Sequence, residues 1–263
     1  MVIILDELEY AKTLIEDKQY PKLKNLIIIA KYLKYNGDKP AVIKNKLISY
    51  CKENALNWNE TIGESKLNKA LKETKKHRLR TPIPIPITKK EIENIRLVKN
   101  YALEKFLFVL LAYAKILKYN DTRIKPRKKP QTLGFLYVNE KITKLFKEAH
   151  LNVRKDTRQK YLQELYSLGY IDLTNRGSFV VKYGCDESDM EIVISDYNSI
   201  VLYYQRLHGE KIAGCECGKL FLKKTQRQSM CPTCWKKKRL RDVAENVKKY
   251  RLNVITSFYD KKT

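Results

Sequence analysis

Glycine is scarce in this chain, nine residues in 263. A loop that wraps phosphate needs backbone freedom at several successive positions, and no GxxxxGK[ST], GxGxxG or GxSxG pattern occurs. Histidine is scarcer. His77, His150 and His208 are the whole set, no HExxH spacing puts two of them on one helix face, and each reads as a surface residue. Long apolar runs are missing as well. The most hydrophobic stretch, Phe106 to Leu117, is too short to cross a bilayer and carries Lys115 inside it. Met1 to Leu5 is apolar, but Asp6, Glu7 and Glu9 follow where a signal peptide would extend its apolar core. Six cysteines, four of them clustered, fit metal ligands in a reducing compartment and not a disulfide framework. These absences lead us to expect an intracellular, cytoplasmic protein with no membrane partner and no enzymatic centre.

Negative charge is the remaining shortage. Asp and Glu number 29 against 54 Lys and Arg, a formal net charge of +25. Such an excess repels itself in the folded state, which implies a polyanionic partner, nucleic acid before an anionic membrane surface. The chain is rich in Lys, Ile, Asn and Tyr, as AT-rich genomes encode. Compositional drift explains the identity of these residues better than the imbalance of sign. The hydrophobic share of 43% is ordinary and excludes wholesale disorder. The eighteen tyrosines are spread along the chain, which suits packing more than a stacking platform.

Residues 1–80 read as a helical module. Helices are expected over Asp6–Glu16, Lys22–Tyr35, Pro40 to about Asn54, and roughly Glu64–Arg78. Leu23, Leu26, Ile27, Ala30 and Leu33 face inward in the second; Val42, Ile43, Leu47, Ile48 and Cys51 do so in the third, which makes Cys51 a core residue. The segment 81–100 begins with Thr81-Pro-Ile-Pro-Ile-Pro-Ile87, whose prolines prevent helix and suit a polyproline-like linker or an edge strand. Thr88 and Glu91 then form a capping-box pattern with Ile87 and Ile92 at staple positions, opening a helix to about Asn100 that could run on into the apolar stretch beyond.

From 101 to 185 the expected order is an apolar helix (Leu103–Leu117), a basic loop (Arg123–Pro130) and a short strand (Phe135–Val138). A helix follows over Asn139–His150, with Ile142, Leu145, Phe146 and Ala149 inward. After a turn at Leu151–Val153 come a second helix (Arg154–Leu168, stopped by Gly169) and a hairpin (Tyr170–Leu173, Phe179–Tyr183). This order resembles the winged helix-turn-helix superfamily, as does Leu165-Tyr-Ser-Leu-Gly-Tyr-Ile171 before a Gly-containing hairpin. The resemblance implies that the helix from Arg154 is a recognition helix. Its apolar side carries Tyr161, Leu162, Leu165 and Leu168, so Gln159, Lys160 and Gln163 point outward; with Lys155 and Arg158 they are the candidates to enter a groove. Arg154 and Arg158 border the apolar stripe, where either could snorkel past the core. Asn175 and Arg176 fall at the wing tip, placed for backbone or minor-groove contact. The segment 186–210 is a connector: an acidic stretch (Asp186, Glu187, Asp189, Glu191), a strand at Ile192–Ile194 and a helix over about Asp196–Leu207. The acidic stretch reads as an exposed turn, since no second carboxylate pair or Glu-x-Lys completes a nuclease site.

The chemistry-bearing motif is Cys215-Glu-Cys217-Gly with Cys231-Pro-Thr-Cys234, thirteen residues apart. Two tight turns each offering two thiolates supply the tetrahedron that Zn2+ prefers, and a closed four-thiolate site is structural because no position is left for water. The region resembles the zinc-ribbon family, with a short hairpin expected between the pairs over Lys219–Met230. The first pair departs from the usual Cys-x2-Cys, which leaves Cys185 or His208 open as substitutes for one ligand. Lys223, Lys224 and Arg227 lie between the pairs, Lys236, Lys237, Lys238 and Arg239 follow them, and an amphipathic helix covers Leu240–Tyr250. From Lys211 onward there are 15 basic and 4 acidic residues.

The expected fold is mainly α with small β elements: helical N-terminal module, winged helix-turn-helix, and C-terminal zinc ribbon plus helix over 211–263. The expected function is non-catalytic nucleic-acid binding, DNA favoured over RNA. The build resembles phage or mobile-element proteins that act as transcriptional regulators or replication accessories. The alternative is a phage-type inhibitor that binds a host nucleic-acid-processing machine as its protein partner.

Overall fold

The computed structural model describes residues 4–120, 136–138, 140–174, 178–185 and 189–259, with side chains of the last helix described to residue 250. The chain divides into two units, Met1–Tyr197 and Asn198–Thr263. The architecture is mainly helical with small antiparallel strand pairs.

The first unit opens with helices α1 (Glu7–Glu16), α2 (Leu23–Tyr35), α3 (Pro40–Asn54) and α4 (Glu60–Lys76). They close on a core that includes Leu14, Leu26, Ile29, Ile43, Leu47, Cys51 and Leu67. Pro40 starts α3, where its missing N–H costs nothing. Val42, expected inward, is exposed. The α3 stripe is instead Ile43, Leu47, Tyr50 and Cys51, a spacing that keeps one face. Burial pushes the Cys51 thiol up to about 11, so it is an unreactive core residue. α4 begins earlier than expected and takes Gly63 inside it. Asn59 caps the helix by accepting from the Ile62 amide at 3.2 Å. A Cβ on residue 63 would stand 2.1 Å from the Trp58 ring, so the indole occupies the space that glycine leaves.

Buried charge ties these helices to the next segment of the chain. Lys31 Nζ donates to both Glu7 oxygens at 3.0 and 3.1 Å, and Glu7 Oε2 also accepts the Arg80 amide at 2.9 Å. The alternating Ile-Pro segment then becomes strand β1 (Ile85–Thr88), with Ile85 and Ile87 buried and Pro84 and Pro86 outward. β1 pairs antiparallel with β5 (Met190–Ile194) in a two-stranded sheet, where proline's lost donor is tolerated. The capping box forms at the start of α5 (Lys89–Arg96). α5 does not continue into the apolar helix: Lys99 has φ +54, and Asn100 accepts from the Ala102 and Leu103 amides to start α6 (Tyr101–Tyr119).

α6 is buried on nearly every side from Leu103 to Ile116, as a central helix must be when other elements surround it. No helix among the described residues is long and apolar enough to cross a membrane. The chain continues with strand β2 (Leu136–Val138), helix α7 (Ile142–Glu148), helix α8 (Lys155–Ser167) and strands β3 (Ile171–Leu173) and β4 (Phe179–Val181), of which β2, α7 and β4 pack on α6. The strands form a three-stranded antiparallel sheet in the order β2-β4-β3. Phe146 of α7 stacks on Phe106 of α6 at 4.2 Å between ring centroids and on Tyr161 of α8 at 6.4 Å. Tyr183, just past β4, is buried and donates to the Leu107 carbonyl of α6 at 2.6 Å.

The second unit holds helix α9 (Ile200–Leu207), a hairpin of β6 (Ile212–Gly214) and β7 (Leu220–Leu222), and the long helix α10 (Pro232–Tyr259). α9 packs on the hairpin. It starts four residues later than expected, because Tyr197 to Ser199 form a turn first.

Candidate metal centre and nucleic-acid interface

The β6–β7 hairpin turns through Cys215-Glu-Cys217-Gly218-Lys219. The Cys215 amide donates to the Lys219 carbonyl at 2.9 Å and the Gly218 amide donates to the Cys215 carbonyl at 2.8 Å. Gly218 sits at φ +81, a conformation a side chain would strain. The irregular Cys-x-Cys pair is thus the tip of the hairpin itself, and the hairpin lies around the first pair instead of between the two pairs. The second pair occupies the first turn of α10: the Cys231 carbonyl accepts the Trp235 amide at 2.9 Å, and Pro232 opens the helix. The Cys234 amide donates to Cys231 Sγ at 3.4 Å. A helix N-terminus favours negative charge, which suits two thiolates there.

All four sulfurs lie within 4.8 Å of one another. A tetrahedral ion with metal–sulfur bonds of about 2.3 Å needs sulfurs about 3.8 Å apart, and the Cys217 and Cys231 sulfurs stand at 3.7 Å. The donor set therefore fits a soft four-coordinate ion. The surrounding core is tiny: buried Cys215, Phe221 and Cys231, with Ala213, Met230 and Cys234 packed against them. Two of its three buried members are the candidate ligands, so without an ion little apolar material would hold this segment together. Amide N–H groups of Cys231 and Cys217 pull the Cys215 thiol down to about 6. The Cys234 thiol donates hydrogen bonds to the neighbouring sulfurs, Cys217 first, which pushes it up to about 12. Among the described residues the grouped candidate ligands are Cys215, Cys217, Cys231 and Cys234; the Cys185 amide donates to Glu91 Oε1 at 2.8 Å, and the His208 ring packs on Tyr204.

Around the cysteines, Lys223 is half-buried and Lys224, Arg227, Lys236, Lys237, Lys238 and Arg239 are exposed. Lys224 and Arg227 are held outward by a loop organised around Gln228. Its side chain accepts the Lys224 amide at 2.9 Å and donates to the Met230 carbonyl at 3.1 Å. The loop and the first turns of α10 border a cleft of about 890 Å³ that includes Trp235, Lys238 and Arg239. Sequence patterning alone does not single out Trp235. Its position between a cysteine pair and four successive cations is the signal that could have done so.

In the first unit, α8 exposes Lys155, Gln159, Lys160 and Gln163, and Leu165 is its one fully buried residue. Arg158 is half-buried and donates to Thr143 Oγ1 of α7 at 3.0 Å, bracing the two helices against each other. Leu168, expected on the inward stripe, is exposed because α8 ends at Ser167 and the chain turns at Gly169, φ +76. Asn175, Arg176, the loop 123–130 and two of the four acidic residues, Asp186 and Glu187, lie outside the described residues. Asp189 and Glu191 are exposed, and the Asp189 carbonyl accepts the Lys89 amide at 3.0 Å beside the β1–β5 pair.

No family model, curated protein or solved structure matches the chain.

Proposed function

We propose that this protein is a non-catalytic nucleic-acid-binding protein in which a structural zinc ion folds a basic C-terminal module and α8 reads duplex DNA. The observation that carries the reading is the set of exposed cations around the cysteine cluster: Lys224, Arg227, Lys236, Lys237, Lys238 and Arg239. None of them is engaged in a salt bridge among the described residues. Unpaired cations concentrated on a small rigid module favour phosphate. Four thiolates, no open position and a minimal core favour zinc in a structural role. A winged helix-turn-helix is supported by the run α6, β2, α7, α8, β3, β4 and by the sheet order β2-β4-β3, in which the closing hairpin lies beside the first strand.

In this reading the basic module supplies sequence-independent capture, and Gln159, Lys160 and Gln163 contact base edges from α8. Glutamine can pair bidentately with adenine, and lysine with guanine or phosphate. DNA is favoured over RNA because a helix enters the major groove of B-form but not of A-form duplex. A transcriptional regulator or replication accessory of phage or mobile-element type, working in a reducing cytoplasm, fits these parts. The test is a salt titration of binding to random duplex together with retention on heparin. Six phosphate contacts give a slope of about −5 in log K against log salt. Absence of binding to any duplex or RNA at low salt refutes the reading. One observation favours the alternative, an inhibitor bound to a host protein: Leu240, Val243, Val247 and Tyr250 of α10 are all exposed. In that case a host protein, and not DNA, protects this stripe from hydrogen exchange.

A further inference from the structure

The cleft beside the cysteine cluster differs in kind from the rest of the basic surface. Its lining includes an aromatic side chain, Trp235, which remains 54% exposed. Lys224 and Arg227 stand on the loop side, and Lys238 and Arg239 rise from α10 one turn beyond the indole; Asp242 is the one acidic residue in the lining. The Arg239 guanidinium lies 5.4 Å from the centre of the Trp235 ring. At about 890 Å³ the cleft is in the range of ligand-sized sites, roughly 300–1,000 Å³. Its walls are set: the Gln228 side chain closes the loop, and the start of α10 is fixed by the two cysteines that frame the turn.

Phosphate alone has no use for an indole. A duplex keeps its bases stacked on each other and offers this surface only its backbone, so the aromatic wall would stay wet. A single strand offers both components at the spacing of one nucleotide: a base face to stack and a phosphate for the surrounding cations. We propose that the Trp235 cleft takes one unpaired base of a single-stranded nucleic acid, stacked on the indole and held by Lys224, Arg227 and Lys238 at the flanking phosphates. This rests on the nucleic-acid reading above and adds to it a preference for strands with unpaired nucleotides. It gives the module a task separate from that of α8, the recognition of frayed or opened duplex.

The test uses the full-length, metal-loaded chain. Its affinity is measured for a short labelled oligothymidylate, for a duplex of equal length, and for the oligothymidylate backbone carrying abasic sites. Trp235→Ala weakens oligothymidylate by about tenfold and leaves duplex affinity and metal content unchanged. Trp235→Tyr restores most of the loss, because a ring face is kept. The abasic strand binds the unaltered protein about as weakly as oligothymidylate binds Trp235→Ala. Equal losses on strand and duplex, or no loss on the strand, overturn the proposal while leaving the broader reading intact. Failure to bind either probe at low salt overturns both.

Discussion

Glu91 carries more of the first unit than its place in a capping box suggests. Its carboxylate accepts the Thr88 amide at 2.9 Å, Lys115 Nζ at 2.5 Å and the Cys185 amide at 2.8 Å, and Lys115 also donates to the Pro86 carbonyl at 2.9 Å. Both side chains are buried. Three stretches of chain that are distant in sequence, 86–91, Lys115 and Cys185, are thereby fixed to one another. Deleting one partner leaves a charge uncompensated in a low-dielectric site, at a cost of about 3–5 kcal/mol. Lys115→Met is therefore expected to lose that amount in urea denaturation, and a loss below about 1 kcal/mol would mean that the site relaxes or takes up water. Gly63 gives a second expectation at this scale. Replacing a helical glycine by alanine usually gains about 1 kcal/mol. Here Gly63→Ala should instead lose about 1–3 kcal/mol on thermal melting, since the new methyl meets the Trp58 ring. The sequence made the Thr88–Glu91 box readable, because a cap is a three-residue spacing. It hid the partners of Lys115, which read only as a charge in an apolar helix, because those contacts reach back 24 and 29 residues to a different element.

At the scale of elements, the proposed function assigns base reading to α8 and sequence-independent capture to the start of α10. Lys160 and Gln163 are exposed on a helix braced from behind by Arg158 and Thr143, so their removal changes contacts without loosening the helix. Lys160→Ala with Gln163→Ala is expected to flatten the ratio between specific and random duplex by about tenfold or more, at about 1–3 kcal/mol for each lost bidentate contact. Lys236→Ala with Lys237→Ala should weaken all sequences alike and reduce the salt slope by about 2. Equal behaviour of the two pairs in binding titrations would dissolve the distinction. Most elements were legible from periodicity and caps: α1 to α3, α6, α8 and the β3–β4 hairpin fall within a few residues of their expected places. The misses have local physical causes. The start of α4 was hidden because glycine ordinarily signals a break, and Trp58 supplies the packing that makes it a helix residue. β1 read equally as linker or edge strand until a partner, β5, more than a hundred residues away, decided it. The β6–β7 hairpin moved to the first cysteine pair because Cys-x-Cys-Gly is itself a two-strand turn, which leaves the second pair to a helix start.

For the whole molecule, two units with unequal means of support imply unequal responses to the same insult. Met1–Tyr197 has a helical core and a central buried helix, whereas the cysteine module in Asn198–Thr263 has a core in which candidate ligands make up most of the buried members. Metal removal should therefore unfold the module alone. On addition of a zinc chelator, protease sites near Lys219 to Arg227 open while the helical unit keeps its urea midpoint. Cys231→Ser reproduces that pattern without chelator, and unchanged protease resistance in either case would refute a structural metal. Acid acts through the same ligands. The ion requires thiolates, so every proton on the cysteines competes with it. Hydrogen bonds with the neighbouring sulfurs, Cys217 first, keep Cys234 protonated at neutral pH in the metal-free protein, with its thiol near 12. Cys215 is already largely thiolate there, with its thiol near 6. Metal binding at pH 7 consequently releases protons, and affinity rises with pH. Below about pH 6 Cys215 takes up a proton as well, which steepens the dependence. A competitive chelation series on either side of that value should show a slope that increases on the acid side, and a flat profile would mean that the four sulfurs do not bind the ion together.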